Sequence, residues 1–446
     1  MIEHDEYWIY EDYFIFKPKF NGSISEYKEQ IRNCSKLIFS NYNDLEITIK
    51  IINNKSESPL NNVNLIKHHR SSKFNTSINE SFNQLVNLTH LTFGEYFNKP
   101  LGNSLEQLTN LTNLTFGSEF NQPLLNSLYK LTSLQYLTFD DGFNQPLSNS
   151  LDKLINLTHL TFGWNFNQSL ANSFDKLLNL TQITFGRLFN NSLDNSLDKL
   201  INLNIINFSE EFNKPLANSL NKSINLTHLT FGEEFNKSLA NSLNKLINLI
   251  HLTFVYRFNK LLANSLNKLI NLTHLTFAKE FNKPLAYSLD KLTNLTHLTF
   301  GECFNKPLVN SLNKLVNLTV LEFGFEFNQP LSESIYYLTK LEHLKLGLKF
   351  NQELILPSNV KILTLNCNNQ YLIENLPNSI EQLNLGCDFN LLLDNLPNSI
   401  KKISFDEDSI YQNQLNNLPK SLEQLELSTI YRFEIENKPP NCKIIQ

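Results

Sequence analysis

Leu226-Thr-His-Leu-Thr-Phe-Gly-Glu-Glu-Phe-Asn-Lys-Ser-Leu-Ala-Asn-Ser-Leu-Asn-Lys-Leu-Ile-Asn248 is one full period of a repeat. Its Phe235-Asn236 pair recurs at a step of 23 residues from Phe74-Asn75 to Phe350-Asn351, with no insertion or deletion. A fixed period of roughly 20–29 residues rich in leucine is the mark of a leucine-rich-type solenoid, in which each unit is one coil. A single coil cannot bury its apolar side chains, so neighbours must stack and share a core.

Within the unit, Leu229-Thr230-Phe231 alternates inward, outward, inward, as a short strand does. Stacked coils then form a parallel sheet with strands about 4.8 Å apart. Gly232 follows in most copies and reads as a sharp turn out of the strand. Leu239, Leu243 and Leu246 have helical spacing, and a serine stands before that segment in every copy from Ser81 to Ser334. The serine reads as the N-cap of a short helix or 3-10 turn on the convex side. Asn248 reads as the stop of that segment. The phenylalanines are expected to form an internal spine. The asparagine after each one is expected to form a ladder that satisfies backbone groups of the next coil, in preference to acting as a simple turn residue. The fold class is therefore an α/β solenoid, leucine-rich-repeat-like. It has a parallel β-sheet on the concave face and short helices or 3-10 turns on the convex face.

The period changes at both ends. Residues 74–350 form the regular body of 23-residue repeats. Over residues 351–446 the coils shorten to 20–22 residues, and Leu-Pro replaces the helical segment, as at Leu376-Pro377-Asn378-Ser379-Ile380. These coils should be helix-poor and extended on the convex side; Pro440 to Ile444 looks like a closing half-copy. Residues 1–73 read as a capping region with one degenerate repeat, Phe14-Ile15-Phe16 followed by Phe20-Asn21, with Ile24, Ile31, Cys34, Leu37 and Phe39 on later core positions. Residues 41–73 interrupt the period, and Leu45 to Ile52 within them looks like a strand. Tyr7, Trp8, Tyr10 and Tyr13 are expected to cover the open end of the core.

Phe-Asn-Lys/Gln-Pro-Leu, followed later by Leu-Pro-Asn-Ser-Ile, resembles the FNIP repeat, a relative of the leucine-rich repeats; the resemblance spans about residues 74–446. The Leu-x-x-Leu-x-Asn-Leu-Thr-His-Leu form of residues 85–344 departs towards a plain leucine-rich repeat. Such proteins are numerous in amoebae and in the large DNA viruses that infect them. The resemblance implies a binding scaffold. In some members an N-terminal F-box links a ubiquitin ligase to its targets, so a substrate-recognition adaptor of a ubiquitin ligase is the alternative. Residues 1–73 lack the Leu-Pro start and the amphipathic helices of an F-box. A helical bundle there would favour the adaptor, and a strand-bearing cap would count against it.

Composition narrows the function. The net charge is −5 and 41% of residues are apolar. The acidic balance speaks against nucleic acid as a partner, and no apolar run approaches the roughly 18 residues of a membrane span. The start has no basic then apolar leader, and the five cysteines are an odd, scattered set, so a cytoplasmic, intracellular setting is expected. Cys367 and Cys387 occupy equivalent positions and read as reduced neighbours.

Surface rows follow from the register. Histidine fills one outward strand position at His90, His159, His228, His251, His274, His297 and His343. Stacked imidazoles about 4.8 Å apart do not converge on a tetrahedral ion, so a polar ladder is expected in place of a metal site. The neighbouring threonines, such as Thr230 and Thr253, are ordinary strand residues. Lysines from Lys130 to Lys314 line the convex side, and acids such as Glu95, Asp141, Glu210, Glu234 and Glu302 crowd the turn after the strand. This gives a basic back and an acidic rim, whose ordinary role is solubility. Residues that break the repeat are the contact candidates, because aromatics and Arg are favoured in interfaces: Tyr96, Tyr136, Trp164, Arg187, Tyr256, Arg257 and Phe325. No Gly-rich phosphate loop, nucleophile elbow or carboxylate pair appears. The sequence therefore reads as a monomeric, non-enzymatic scaffold for an unknown protein partner. It is expected to use no nucleic acid, membrane, cofactor or metal.

Overall fold

The computed structural model describes residues 1–53, 69–79, 81–435 and 437–446. The chain divides into two compact units, Met1–Leu226 and Thr227–Gln446. Each is a parallel β-solenoid with few helices, as the repeat requires. In the second unit His228–Phe231 pairs in parallel with His251–Phe254, and Leu229 lies opposite Leu252. The first unit keeps the same register, for example Leu137 opposite Leu160 between Tyr136–Phe139 and His159–Thr161. Since the period in sequence equals one coil, every position lies against its own copy. Rows of identical side chains result.

The core is built from these rows. The inward leucines of each coil, such as Leu128, Leu131, Leu134 and Leu137, are fully buried, as are both phenylalanines. The spine is double. Phe116 stacks on Phe139 at 5.4 Å, Phe120 on Phe143 at 6.1 Å, and the two columns meet where Phe116 stacks on Phe120 at 4.1 Å. Burial is worth roughly 1.5–3 kcal/mol for each such side chain, and stacking adds about 0.5–1.5 kcal/mol per pair.

The asparagine ladder is present. Asn98 Oδ1 accepts the backbone N–H of Asn121, whose own Oδ1 accepts that of Asn144, each at 3.0 Å. In the second unit the series runs through Asn259, Asn282, Asn305 and Asn328. It even bridges the early interruption. Asn21 Oδ1 accepts the N–H of Asn75, 54 residues away in sequence and one coil away in space. A second ladder has the same donor-to-acceptor sense, with the asparagine side chain now the donor. Asn179 Nδ2 donates to the carbonyl of Ile155 and Asn202 Nδ2 to that of Leu178. The equivalents of Asn248, at the expected stop of the helical segment, have no positive φ among the described residues. They serve instead as donors between coils.

The turn face differs from the helical expectation for a definite reason. The residue after the core leucine is left-handed in most coils, as at Leu125 (φ 46), Ala217 (φ 45), Ala240 (φ 42) and Ala263 (φ 45). A left-handed residue breaks a right-handed helix. What remains is a chain of turns in which Ser127 N–H bonds Leu124 O, Tyr129 N–H bonds Asn126 O and Leu131 N–H bonds Leu128 O. The serine is thus a buried turn residue and not a cap. Where the coil has no left-handed residue, a single α-helical turn forms at Ser332–Ile335.

The role of the post-strand glycine is also corrected. None of Gly117, Gly186 and Gly347 has a positive φ; a Cβ on any of them would fall about 2 Å from the carbonyl oxygen of the glycine one coil earlier. The glycine allows two backbones to touch.

In the N-terminal region the degenerate repeat is a true coil. Phe20, Ile24, Ile31, Leu37 and Phe39 are buried, and Phe20 stacks on Phe74 at 5.8 Å. Tyr7–Tyr10 and Tyr13–Phe16 form an antiparallel hairpin, with Ile2–Glu3 added antiparallel at its edge. Tyr7 caps the core against Phe14. Trp8 and Tyr13, expected over the core end, pack with Ile15 and Ile38 in a separate cluster. The segment read as a strand, Leu45 to Ile52, is a helix spanning Leu45–Asn53. Its apolar residues alternate at period two, but Leu45, Ile49 and Ile52 also share one helical face, and that face packs on this cluster. Asp44 supplies the N-cap by accepting the N–H of Ile47. The described residues of the N-terminal region thus form a cap that bears strands and the helix Leu45–Asn53; residues 54–68 lie outside the described residues.

The Leu-Pro coils close with single turns, such as Val360 N–H to Pro357 O and Ile400 N–H to Pro397 O. One helix interrupts the expected extended path, Gln370–Glu374, capped by Asn369. Lys443–Ile445 pairs in parallel with Gln424–Glu426, so the half-copy adds a strand.

Candidate interaction surfaces

The sheet face carries the histidine row. His228, His251, His274 and His297 stack with centroids 4.4, 4.2 and 4.1 Å apart. For His274 and His297 the tautomer follows from the threonine before each. Thr296 Oγ1 donates to the carbonyl of Thr273 at 3.1 Å, so its proton is committed, and its contact of 2.9 Å with His297 Nδ1 requires that the ring donates. His274 and Thr273 repeat the arrangement. Nδ1–H is held by the protein and Nε2 remains an acceptor. Desolvation, followed by the neighbouring imidazoles, lowers the pKa of His251 and pushes that of His274 down to about 4. His251 and His274 are therefore neutral at pH 7. Among the described residues no group of His, Cys, Asp and Glu is arranged to hold a metal ion.

On the rim after the strands, successive coils place unlike side chains in contact. The guanidinium of Arg187 lies 4.4 Å from the centre of the Trp164 ring, and its Nε is 2.8 Å from Glu210. At the same repeat position four coils later in sequence, Lys279 lies 5.3 Å from the Tyr256 ring and 2.9 Å from Glu302. Each is an aromatic, a cation and a carboxylate on three consecutive coils. Lys349 joins the Phe325 ring and Glu326, both on the preceding coil, Arg257 pairs with Glu234, and Lys73 lies over Tyr96. Tyr136 is apart from these: it lies on the sheet face, stacked on His159 at 4.4 Å. The rim is therefore a mixed-charge surface and not simply an acidic one. Trp164 remains 46% exposed and Phe325 43% exposed, so their rings are both oriented and accessible.

Each unit also has a polar groove beside its strands. In the first it holds about 750 Å³ between a row of Gln135, Thr158 and Thr181 and a row of Asn156, Asn179 and Asn202. In the second it holds about 850 Å³, with Glu342–Lys361 and Glu381–Lys401 ion pairs along one wall. All five cysteines are free; burial pushes the Cys367 thiol up to about 11, and Cys387 is exposed. No helix is long and apolar enough to cross a membrane among the described residues.

The family model for the FNIP Repeat matches residues 350–388, where the 23-residue body gives way to the Leu-Pro coils. Among solved structures, CroV588, described as a novel circular LRR protein, aligns over 99% of this chain and 77% of its own. The identity is 28% and the TM-score 0.63. An LRR protein of Leptospira interrogans aligns over 91% of this chain and 100% of its own, at 18% identity and a TM-score of 0.50. The TLR13–ssRNA13 complex aligns over 90% of this chain and 54% of its own, at 16% identity and a TM-score of 0.57. The last two likenesses concern the fold alone. No curated protein matches the chain. The chain carries an FNIP repeat, and its structural neighbours are leucine-rich-repeat proteins.

Proposed function

We propose that this chain is a non-enzymatic scaffold that holds a protein partner on its rim and the adjoining sheet face. The rim arrangement Trp164–Arg187–Glu210 carries the reading, and Tyr256–Lys279–Glu302 repeats it. An exposed aromatic is a strong interface anchor when its conformation is fixed before binding, because little side-chain entropy is then lost. Arg187 fixes the Trp164 ring, and Glu210 fixes Arg187. In the second unit, next to Tyr256–Lys279–Glu302, the neutral ring of His274 offers an Nε2 acceptor to a donor of the partner. The free cysteines suit a reducing, cytoplasmic setting.

Purification on immobilised chain from the native cell tests this, comparing the wild type with a Trp164→Ala, Arg187→Ala double variant. A protein retained by the wild type and lost by a folded double variant supports the reading. An identical set of retained proteins, or none above background, overturns it.

A further inference from the structure

In the second unit, the turn face from Asn236 to Asn317 carries two rows of lysine. One follows the Phe-Asn pair: Lys237, Lys260, Lys283 and Lys306. The other follows the buried serine: Lys245, Lys268, Lys291 and Lys314. The four turn segments that bear them contain a single acid, Asp290. Surfaces that only keep a protein soluble intersperse both signs. Here a chain of net charge −5 concentrates one sign on one face.

The pairing pattern separates this face from the rim. Rim cations are neutralised within the molecule, as Lys279 is by Glu302 and Arg257 by Glu234. None of the eight turn-face lysines has a carboxylate within ion-pair distance among the described residues. The lysines of each row lie one coil apart; the phenylalanines two residues before the first row, Phe235, Phe258, Phe281 and Phe304, stack 6.0, 6.1 and 5.9 Å apart. That spacing is within the Debye length of about 8 Å at physiological salt, so their fields add while more distant acids are screened.

The same face exposes large apolar side chains. Leu261, Tyr287 and Val309 are 64%, 73% and 60% exposed, and Ile247, Ile270 and Val316 are about half exposed. Unpaired lysines interleaved with exposed aliphatics match a surface that is anionic outside and apolar beneath. A nucleic acid would use the charge but not the aliphatics, and an absence of arginine on this face suits it poorly. We propose that the turn face of the second unit docks on an anionic lipid bilayer. Lysine ammonium groups would contact the headgroups, and Leu261, Tyr287 and Val309 would enter the interface. This revises the expectation of no membrane partner, which rested on the lack of a spanning segment. It is independent of the partner proposed for the rim.

Co-sedimentation of the full chain with vesicles tests it, using phosphatidylcholine alone and phosphatidylcholine with roughly one-third phosphatidylserine. The expected result is binding to the anionic vesicles only, lost at high salt. Neutralising one row (K245Q, K268Q, K291Q, K314Q) should weaken it by about a hundredfold or more, since each lysine near such a surface contributes about fivefold. Leu261→Gln with Val309→Gln should weaken it several-fold at unchanged charge. Circular dichroism verifies that each variant is folded, and lipid and salt dependence of the wild type decide the matter if one is not. Equal binding to neutral vesicles, binding unchanged by both variants, no binding to any vesicle, or retention by duplex DNA alone would each overturn the proposal.

Discussion

The side-chain oxygen of Asn121 accepts the backbone N–H of Asn144 at 3.0 Å, one coil further on, and also lies 3.1 Å from Gln145 Nε2. The ladder thus ties the loop of each coil to its predecessor where no strand pairing reaches. Asn121→Ala should cost about 1 kcal/mol, the usual net value of such a bond. Asn121→Asp keeps the acceptor and should stay near the wild type. Amide exchange at Asn144 measures this directly: several-fold faster in the alanine variant, little changed in the aspartate variant. Equal acceleration in both would show that the oxygen is not the holding atom.

Ala240 has a φ of 42°, which costs an alanine roughly 1 kcal/mol, whereas glycine adopts it freely. Part of the gain from Ala240→Gly is offset by the freer unfolded chain. The substitution should therefore be neutral or stabilise by about 0.5 kcal/mol, while the β-branched Ala240→Val should lose about 1–2 kcal/mol. Val309 shows how a coil avoids that penalty. It stands at the equivalent position, and the positive φ there moves to Asn310. Urea denaturation of the two variants checks the order; a valine variant as stable as the glycine one would contradict it.

The repeat made most of the fold legible, because a period with no insertions fixes the register and hence which side chains meet. Once Trp164, Arg187 and Glu210 are seen to be 23 residues apart in turn, their contact follows. Sequence singled out Trp164 and Arg187 as departures from the repeat but not as partners of each other. The turn-face aliphatics escaped notice because Ile247 and Ile270 recur, and a recurring apolar residue looks like core. Leu45 to Ile52 was ambiguous in principle, since its apolar residues satisfy both a strand and a helix; tertiary packing on Trp8 and Ile38 decided it. The glycine after each strand was misattributed because sequence shows the residue and not the carbonyl above it.

That carbonyl gives a third prediction. A Cβ on Gly186 would lie 1.7 Å from the carbonyl oxygen of Gly163, whereas one on Gly102, at φ 48°, would meet nothing within 4 Å. Gly186→Ala must push two coils apart and should lose about 2–3 kcal/mol, a strain comparable to overpacking a core. Gly102→Ala meets only the backbone penalty, partly offset by the stiffer unfolded chain, and should lose no more than about 0.5 kcal/mol. Thermal melting of the pair separates close approach from backbone freedom. A larger loss at Gly102 would reverse the assignment.

The histidine row should make stability depend on acid. His274 has its pKa pushed down to about 4, first by desolvation and then by His297, His251 and His228. In the unfolded chain it returns to about 6.5. The unfolded state therefore binds the proton more readily, and stability rises with pH across that interval. The contribution is complete above pH 6.5, is lost progressively as pH falls, and is gone below about 4. Allowing for partial solvent screening, it amounts to roughly 1–3 kcal/mol. Carboxylates titrate at the lower end of the same window, so the wild type alone is not decisive. His274→Gln removes the titrating group and places there a residue the repeat already accepts at Gln182. The wild type should lose more stability than this variant between pH 7 and 5, where carboxylates contribute little. Parallel curves over that interval would mean that the stacked imidazoles titrate as freely as exposed ones.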